Sequence, residues 1–163
     1  MPMPQLLIVY HSKTGGTRQM AEAAARAARE ETETVLKRAE DAGPDDLLRA
    51  DGYIFAAPEN LAAIAGVMKD FYDRSYYPVL GRIEGRPYAQ MVCAGSDGEN
   101  AARQTARIAT GWRLKEVQPP LIICTRAQTP EEILAEKVIG EDALARCRAL
   151  GAAMAAGLAM GVF

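Results

Sequence analysis

The residues best equipped for chemistry lie in one run, Tyr10-His-Ser-Lys-Thr-Gly-Gly-Thr-Arg18. Ser12, Thr14 and Thr17 place three hydroxyls around Gly15 and Gly16. The glycines let backbone N–H groups curl closely about a bound group, and a helix starting just after them would aim further donors at the same point. Together with the charges of Lys13 and Arg18, these are the parts of a phosphate cradle. The plainer alternative is a capped helix start with a glycine turn. Neither the G-x-x-x-x-G-K-[ST] loop nor the G-x-G-x-x-G fingerprint occurs here, and no cysteine stands in the loop to act as a phosphatase nucleophile.

Side-chain catalysis of other kinds is poorly supplied. His11 is the one histidine; at a strand end it serves either a ligand or the structure. Ala94-Gly-Ser-Asp-Gly98 misses the G-x-S-x-G elbow by one residue, and the histidine that an α/β-hydrolase needs after its serine is absent. A response-regulator receiver needs acids at the ends of the first and third strands, where this chain has His11-Ser12 and Ala57-Pro58. Cys93, Cys124 and Cys147 are too widely spaced for a zinc site, and their odd number fits reduced thiols and a cytoplasmic location.

Those residues need a frame. The chain of 163 residues is 49% apolar and 25% charged, which predicts one globular domain over 1–163. A net charge of −2 gives no electrostatic case for nucleic acid or an anionic membrane. The opening Met1-Pro-Met-Pro-Gln5 has no basic region or cleavage site, so no signal peptide is read. Ala149–Phe163, the longest charge-free run, falls short of the ~20 residues that span a bilayer. It contains Gly157-x-x-x-Gly161, read as close packing of a last helix on its own sheet, or as a contact in a homodimer.

Leu6–Tyr10, Gly52–Ala57, Tyr88–Ala94 and Leu121–Cys124 are short continuous apolar runs, predicting strands covered on both faces; Glu33–Lys37 is more polar and suits an outer strand. Ala42-Gly43-Pro44 reads as a turn, and Pro58 as the stop of the third strand. Helical stripes run through Met20, Ala24, Ala27 and Ala28, from Leu61 through Ile64, Ala65 and Met68 to Phe71 and Tyr72, from Ala102 to Trp112, and from Leu144 to Leu158. Trp112 lies on its stripe and reads as core. Lys69 with Asp73 and Asp70 with Arg74 read as i,i+4 pairs on a solvated face. Alternation of strand and helix predicts a doubly wound α/β sheet, whose ligands bind at the carboxyl ends of the strands. The loops after Tyr10, Ala57 and Ala94 therefore converge on one place.

Ser12-Lys-Thr-Gly-Gly-Thr17 resembles the [TS]-x-T-G-x-T loop of flavodoxin-like proteins, which holds the phosphate of FMN. Pro58-Glu-Asn-Leu61, followed by Gly66-Val-Met-Lys69 and Phe71-Tyr-Asp73, resembles the segment that NAD(P)H-dependent FMN and quinone reductases set against the isoalloxazine ring. Ala94-Gly-Ser-Asp-Gly-Glu-Asn100 resembles the glycine-rich loop beside the flavin. The resemblance spans essentially the whole chain and implies a five-stranded parallel sheet in the order 2-1-3-4-5, with helices on both faces. It implies FMN bound by Ser12, Lys13, Thr14, Gly15, Gly16 and Thr17 at the phosphate, and by Pro58, Glu59, Asn60 and Leu61 with Gly95, Ser96, Asp97 and Gly98 at the ring. Asp97 and Glu99 would then lower the flavin potential, unless they are ordinary helix-start acids. Tyr76 and Tyr77, read in a loop after a helix, are candidates to stack on the cofactor, line a substrate pocket or pack between copies.

Two functions follow from the resemblance. One is an oxidoreductase taking electrons from NADH or NADPH and passing them to a quinone-like small acceptor. The other is a flavodoxin-type carrier that docks to a redox partner protein. Flavodoxins are typically more acidic than this chain, which favours the first.

Overall fold

The computed structural model describes residues 2–163. In chain order the elements are β1 (Gln5–Tyr10), α1 (Gly16–Ala28), β2 (Glu33–Arg38), α2 (Pro44–Arg49), β3 (Gly52–Asn60), β4 (Ala63–Ile64), α3 (Gly66–Val79), β5 (Pro87–Ala94), α4 (Glu99–Gly111), β6 (Lys115–Glu116), β7 (Leu121–Cys124), α5 (Pro130–Leu134) and α6 (Glu141–Met160). β1 lies between β2 and β3, and β3 pairs with β5, all in parallel. β6 pairs with the start of β5 and β7 with its end, also in parallel. They are two pieces of one edge strand, separated by a stretch containing Pro119 and Pro120, which have no N–H to give a ladder. Taken as one strand, they complete the 2-1-3-4-5 order, with β4 as an antiparallel addition to the end of β3.

Period-two alternation sorts the core into two layers. Leu6, Ile8, Ile54, Ala56, Met91 and Cys93 face α1 and α6. Leu7, Val9, Tyr53, Phe55 and Val92 face the side covered by α2, α3 and α4. The aromatic residues concentrate in this second layer. Phe55 meets the rings of Tyr53, Phe71, Tyr72, Tyr88 and Trp112 at centroid distances of 5.6–6.4 Å. Trp112 is fully buried, and its Nε1–H donates to the Tyr76 carbonyl at 3.0 Å.

Four local expectations are corrected. Pro58 does not end β3: the strand continues to Asn60, and Pro58 pairs with Cys93. β1 has ended beside Ala56, so a missing donor beyond that point leaves no β1 acceptor unmet on that side. Ala42-Gly43-Pro44 is the entrance to α2 rather than only a turn, with Pro44 at the first helical position and the Asp46 carboxylate accepting from Gly43 N–H at 3.0 Å. Leu61 lies outside the helix, at the tip of the β3–β4 hairpin. Tyr76 and Tyr77 belong to the last turns of α3, which runs through Pro78. The two i,i+4 ion pairs on α3 are formed, each at 2.7 Å.

α6 is longer than the charge-free run, because its first turns carry charge, and by length and composition it could cross a membrane. Here one face, with Cys147, Leu150, Met154 and Leu158, is buried against α1 and the sheet. Gly151 lets α6 approach α1 so closely that a Cβ there would collide with the backbone of Ala24. The glycines of the G-x-x-x-G motif also serve within the chain: the ring of Phe163 occupies the place of a Gly157 side chain, and Gly161 caps α6 at φ +68°. Gly151→Ala is expected to destabilise by ~1–3 kcal/mol through this overlap, lowering Tm by several degrees in a thermal melt. An unchanged Tm would contradict the close approach of the two helices.

Candidate functional site

The Ser12–Thr17 loop leaves several hydrogen-bonding groups unpaired. His11 N–H still donates to Ala56 at 3.1 Å, after which the chain leaves the sheet. Ser12 Oγ accepts from Gly15 N–H at 3.1 Å and closes the turn. Gly15 takes φ +92° as the N-cap of α1, a conformation that suits glycine. Thr14 Oγ1 accepts from Lys137 Nζ at 3.3 Å. Thr17 Oγ1 is buried beside the Cys93 thiol and, among the described residues, meets no partner at hydrogen-bonding geometry. Each hydroxyl carries one hydrogen to donate, and among the described residues none of these three is given to an acceptor. The first-turn N–H groups of α1 aim at the same region without intrahelical partners.

This loop forms one end of a cleft of about 580 Å³ at the carboxyl edge of the sheet, within the range of small-molecule sites. Pro58 to Ala62 form one wall; Gly95 and Ser96 border it beside the end of β5. A third side comes from the segment between β7 and α6, through Ala127, Gln128, Ile133 and Leu134. This strap leaves β7 hydrogen-bonded to Ala94 and Gly95 through the N–H groups of Thr125 and Arg126, both at 2.8 Å. It returns across the Ser12–Thr17 end: Lys137 N–H donates to the Thr14 carbonyl at 2.8 Å, Gln19 Nε2 to the Lys137 carbonyl at 2.6 Å, and Ile139 N–H to Gln19 Oε1 at 2.9 Å. Cys93 lies beneath the loop, its thiol pushed up to about 11 by burial. A Cβ on Gly16 would stand 2.8 Å from its Sγ.

The hairpin wall is strained and firmly held. Glu59 pairs with Ile64 and Asn60 with Ala63, leaving Leu61 and Ala62 as a two-residue turn with φ +51° and +62°. Such turns favour Asn-Gly, and each non-glycine residue there costs roughly 1–2 kcal/mol. α4 holds the turn in place. Glu59 accepts from Gly98 N–H at 2.9 Å and from Ala101 N–H at 3.2 Å, Asn100 Nδ2 donates to the Ala62 carbonyl at 2.5 Å, and Gln104 Oε1 accepts from Ile64 N–H at 2.8 Å. Leu61 is left fully exposed at the cleft mouth.

Of the residues singled out in the sequence, Ser12, Lys13, Thr14, Gly16 and Thr17 line the cleft at the loop end. Pro58, Glu59, Asn60 and Leu61 line the hairpin wall, with Gly95 and Ser96 at β5. Gly15 faces a neighbouring hollow of about 370 Å³. Asp97 and Gly98 do not line the cleft: Asp97 Oδ1 accepts from Glu99 N–H at 3.3 Å, an ordinary helix start, and the N–H of Gly98 is taken by Glu59. Tyr76 stacks on Trp112 at 5.6 Å, and Tyr77 is exposed on α3; both border a shallow groove with Lys69 and Ile108 rather than the cleft. Sequence reasoning missed the strap residues, the Ala62 tip and Cys93. Thr129-Pro130-Glu131-Glu132 did carry a signal, since it forms a capping box for α5. His11 is outside the lining; burial lowers its pKa, while Glu40, 3.9 Å from Nδ1, pulls the other way.

No known family profile matches the chain. It is 38% identical to a flavodoxin of Aquifex aeolicus (strain VF5) over 96 residues, 58% of this chain and 50% of that protein. It is 36% identical to an NAD(P)H dehydrogenase (quinone) of Acidithiobacillus ferrooxidans (strain ATCC 53993 / BNL-5-31), covering 45% of this chain and 48% of that one. The chain thus spans about half the length of these curated relatives. Among solved structures it superposes on a flavodoxin from the domain Archaea with a TM-score of 0.75 at 18% identity, covering 94% of this chain and 98% of that one. The flavodoxin, WrbA-like protein from Agrobacterium tumefaciens gives 0.70 at 21% identity, covering 95% and 97%. The fold is flavodoxin-like.

A pH dependence follows from His11. In the unfolded chain it binds a proton near its ordinary value of 6.5, whereas in the fold it does so only at lower pH. Its contribution is therefore complete above 6.5 and is lost as pH falls below that value. Denaturant titrations from pH 7.5 to 5.5 should show stability falling, with a smaller fall in His11→Asn; equal slopes would refute the assignment.

Proposed function

We propose that the cleft binds FMN and that the protein is an oxidoreductase, passing electrons from NADH or NADPH to a quinone or a similar small acceptor. The observation that carries this reading is the loop end of the cleft, where three hydroxyls and the first-turn amides of α1 have hydrogens to donate and nothing to receive them. A phosphate monoester brings only acceptors and negative charge, which complements such a site. The residues present fit the group: the buried Thr17 hydroxyl lacks a partner, and a side chain at Gly16 would collide with Cys93. The relatives named flavodoxin and NAD(P)H dehydrogenase (quinone) support the same reading.

FMN, when bound, supplies a ring that is reversibly reduced. The chain's own residues bind and orient. Ser12, Thr14 and Thr17 would hold the phosphate; Gly95 and Ser96 would offer backbone to the polar edges of the ring; Leu61, Ile133 and Leu134 would give it apolar contact. Among the described residues, no aromatic side chain lines the cleft. Walls of small and aliphatic groups leave a planar ring less covered than stacked aromatics would, and that favours direct exchange with a small planar donor or acceptor. The second reading, a flavodoxin-type carrier serving a redox partner protein, draws support from the 38% identical relative.

Three outcomes test the reading. Purified protein should be yellow or should bind added FMN; a colourless protein with no FMN affinity would sink it. Thr14→Ala with Thr17→Ala should weaken FMN strongly, each lost charge-assisted hydrogen bond contributing roughly 1.5–3 kcal/mol. Holo-protein mixed anaerobically with NADPH or NADH and menadione should bleach and turn over; an inert mixture would select the carrier.

A further inference from the structure

We propose that Lys137, carried on the strap, is the counter-ion of the flavin phosphate, so that the phosphate fastens the strap over the cofactor. This rests on the FMN reading and deepens it. Lys137 Nζ donates to three oxygens: the carbonyls of Ile133 at 2.8 Å and Ala135 at 2.6 Å, and Thr14 Oγ1 at 3.3 Å. All three are uncharged. No carboxylate lies within ion-pairing distance of this ammonium among the described residues. Nearby acids are otherwise engaged: Glu136 faces Arg18 at 3.8 Å, and Glu132 caps Thr129 at 3.1 Å.

The contact with Thr14 fixes a direction. By accepting from Lys137, the Thr14 oxygen leaves its own hydrogen to be given elsewhere. One ammonium thus contributes a positive charge to the loop and turns a hydroxyl into a donor. Lys137 Cβ would stand 3.5 Å from a Cβ on Gly16, so the strap is in contact distance of the loop's tightest point. The strap is also anchored there through Lys137 N–H to Thr14 O and through both ends of the Gln19 amide. The same strap carries Ile133 and Leu134 to the cleft. Charge at one end and apolar wall at the other are joined by a few residues of backbone, so occupancy of the phosphate site steadies the wall that faces the ring.

The geometry predicts discrimination between FMN and riboflavin, which share the ring and differ in the phosphate. Both are titrated, by fluorescence, into full-length protein freed of flavin by dialysis. Because all three ammonium hydrogens are already given, Lys137 acts through its charge, and Lys137→Gln is expected to weaken FMN roughly 3- to 10-fold, the range of one partly exposed ion pair, while riboflavin affinity stays within about twofold; Lys137→Arg restores most of the FMN affinity. In hydrogen exchange, FMN but not riboflavin protects amides 133–139. Equal weakening of both flavins overturns the proposal, since that is the mark of a merely misfolded strap. Unchanged FMN affinity in Lys137→Gln overturns it as well. Wild-type protein that binds neither flavin removes the FMN reading itself, whereas normal FMN binding that ignores Lys137 removes this inference alone.

Discussion

The carboxyl edge of the sheet is organised around an imbalance between donors and acceptors in Ser12–Thr17. A buried hydroxyl without a partner is costly, on the order of 1–3 kcal/mol. Thr17, buried without an acceptor at hydrogen-bonding geometry among the described residues, would avoid that cost by donating to a bound anion, and Ser12 and Thr14 are set so that only their accepting sides are used. Such an arrangement becomes favourable when an anion supplies the missing acceptors. The structure around it serves to keep it open. Gly16 gives the loop clearance from Cys93, β1 and β3 fix its entry through His11 and Ala56, and α1 presents its first turn along the same line.

A second strained feature stands opposite. Leu61 and Ala62 hold left-handed backbone without glycine. Three side chains keep them there, Glu59, Asn100 and Gln104, two of them from α4. The Glu59 carboxylate also meets the N-terminus of α4, where negative charge is favoured, so the tie stabilises the helix while fixing the wall. Strain of this kind persists where the surroundings over-determine it, and it clusters at ligand sites. An Asn-Gly turn would relax the backbone and remove the apolar side chain that now stands at the cleft mouth.

Much of this was legible in the sequence. Buried strands read as apolar runs, and the three loops were placed from strand order and motif. What escaped has physical reasons. α2 and α5 are too short to show a 3.6-residue period and are defined by capping at Gly43 and Thr129. Leu61 continued the spacing of Ile64 and Met68, but the chain turns sharply before the helix begins at Gly66. Tyr76 and Tyr77 read as a loop after a helix, yet α3 continues through Pro78 to Val79 and Tyr76 packs on Trp112. Lys137 was invisible because its partner, Thr14, lies at the other end of the chain.

The distribution of aromatic residues connects the core to the proposed chemistry. The sequence has few, 6% of its residues, and the layer under α3 and α4 takes Tyr53, Phe55, Phe71, Tyr72, Tyr88 and Trp112. Tyr76 packs against the same layer, and Phe163 fills the space over Gly157. None of these faces the cleft. A ring seated there would lie between backbone, small residues and aliphatic side chains, with Leu61, Ile133 and Leu134 as its large apolar contacts. Aliphatic contact supplies burial without the stacking geometry that aromatic pairs prefer, so affinity would depend more heavily on the phosphate end. On the proposed FMN reading, that dependence would give a physical role to the donor-rich loop and to Lys137, whose ammonium has no carboxylate partner among the described residues.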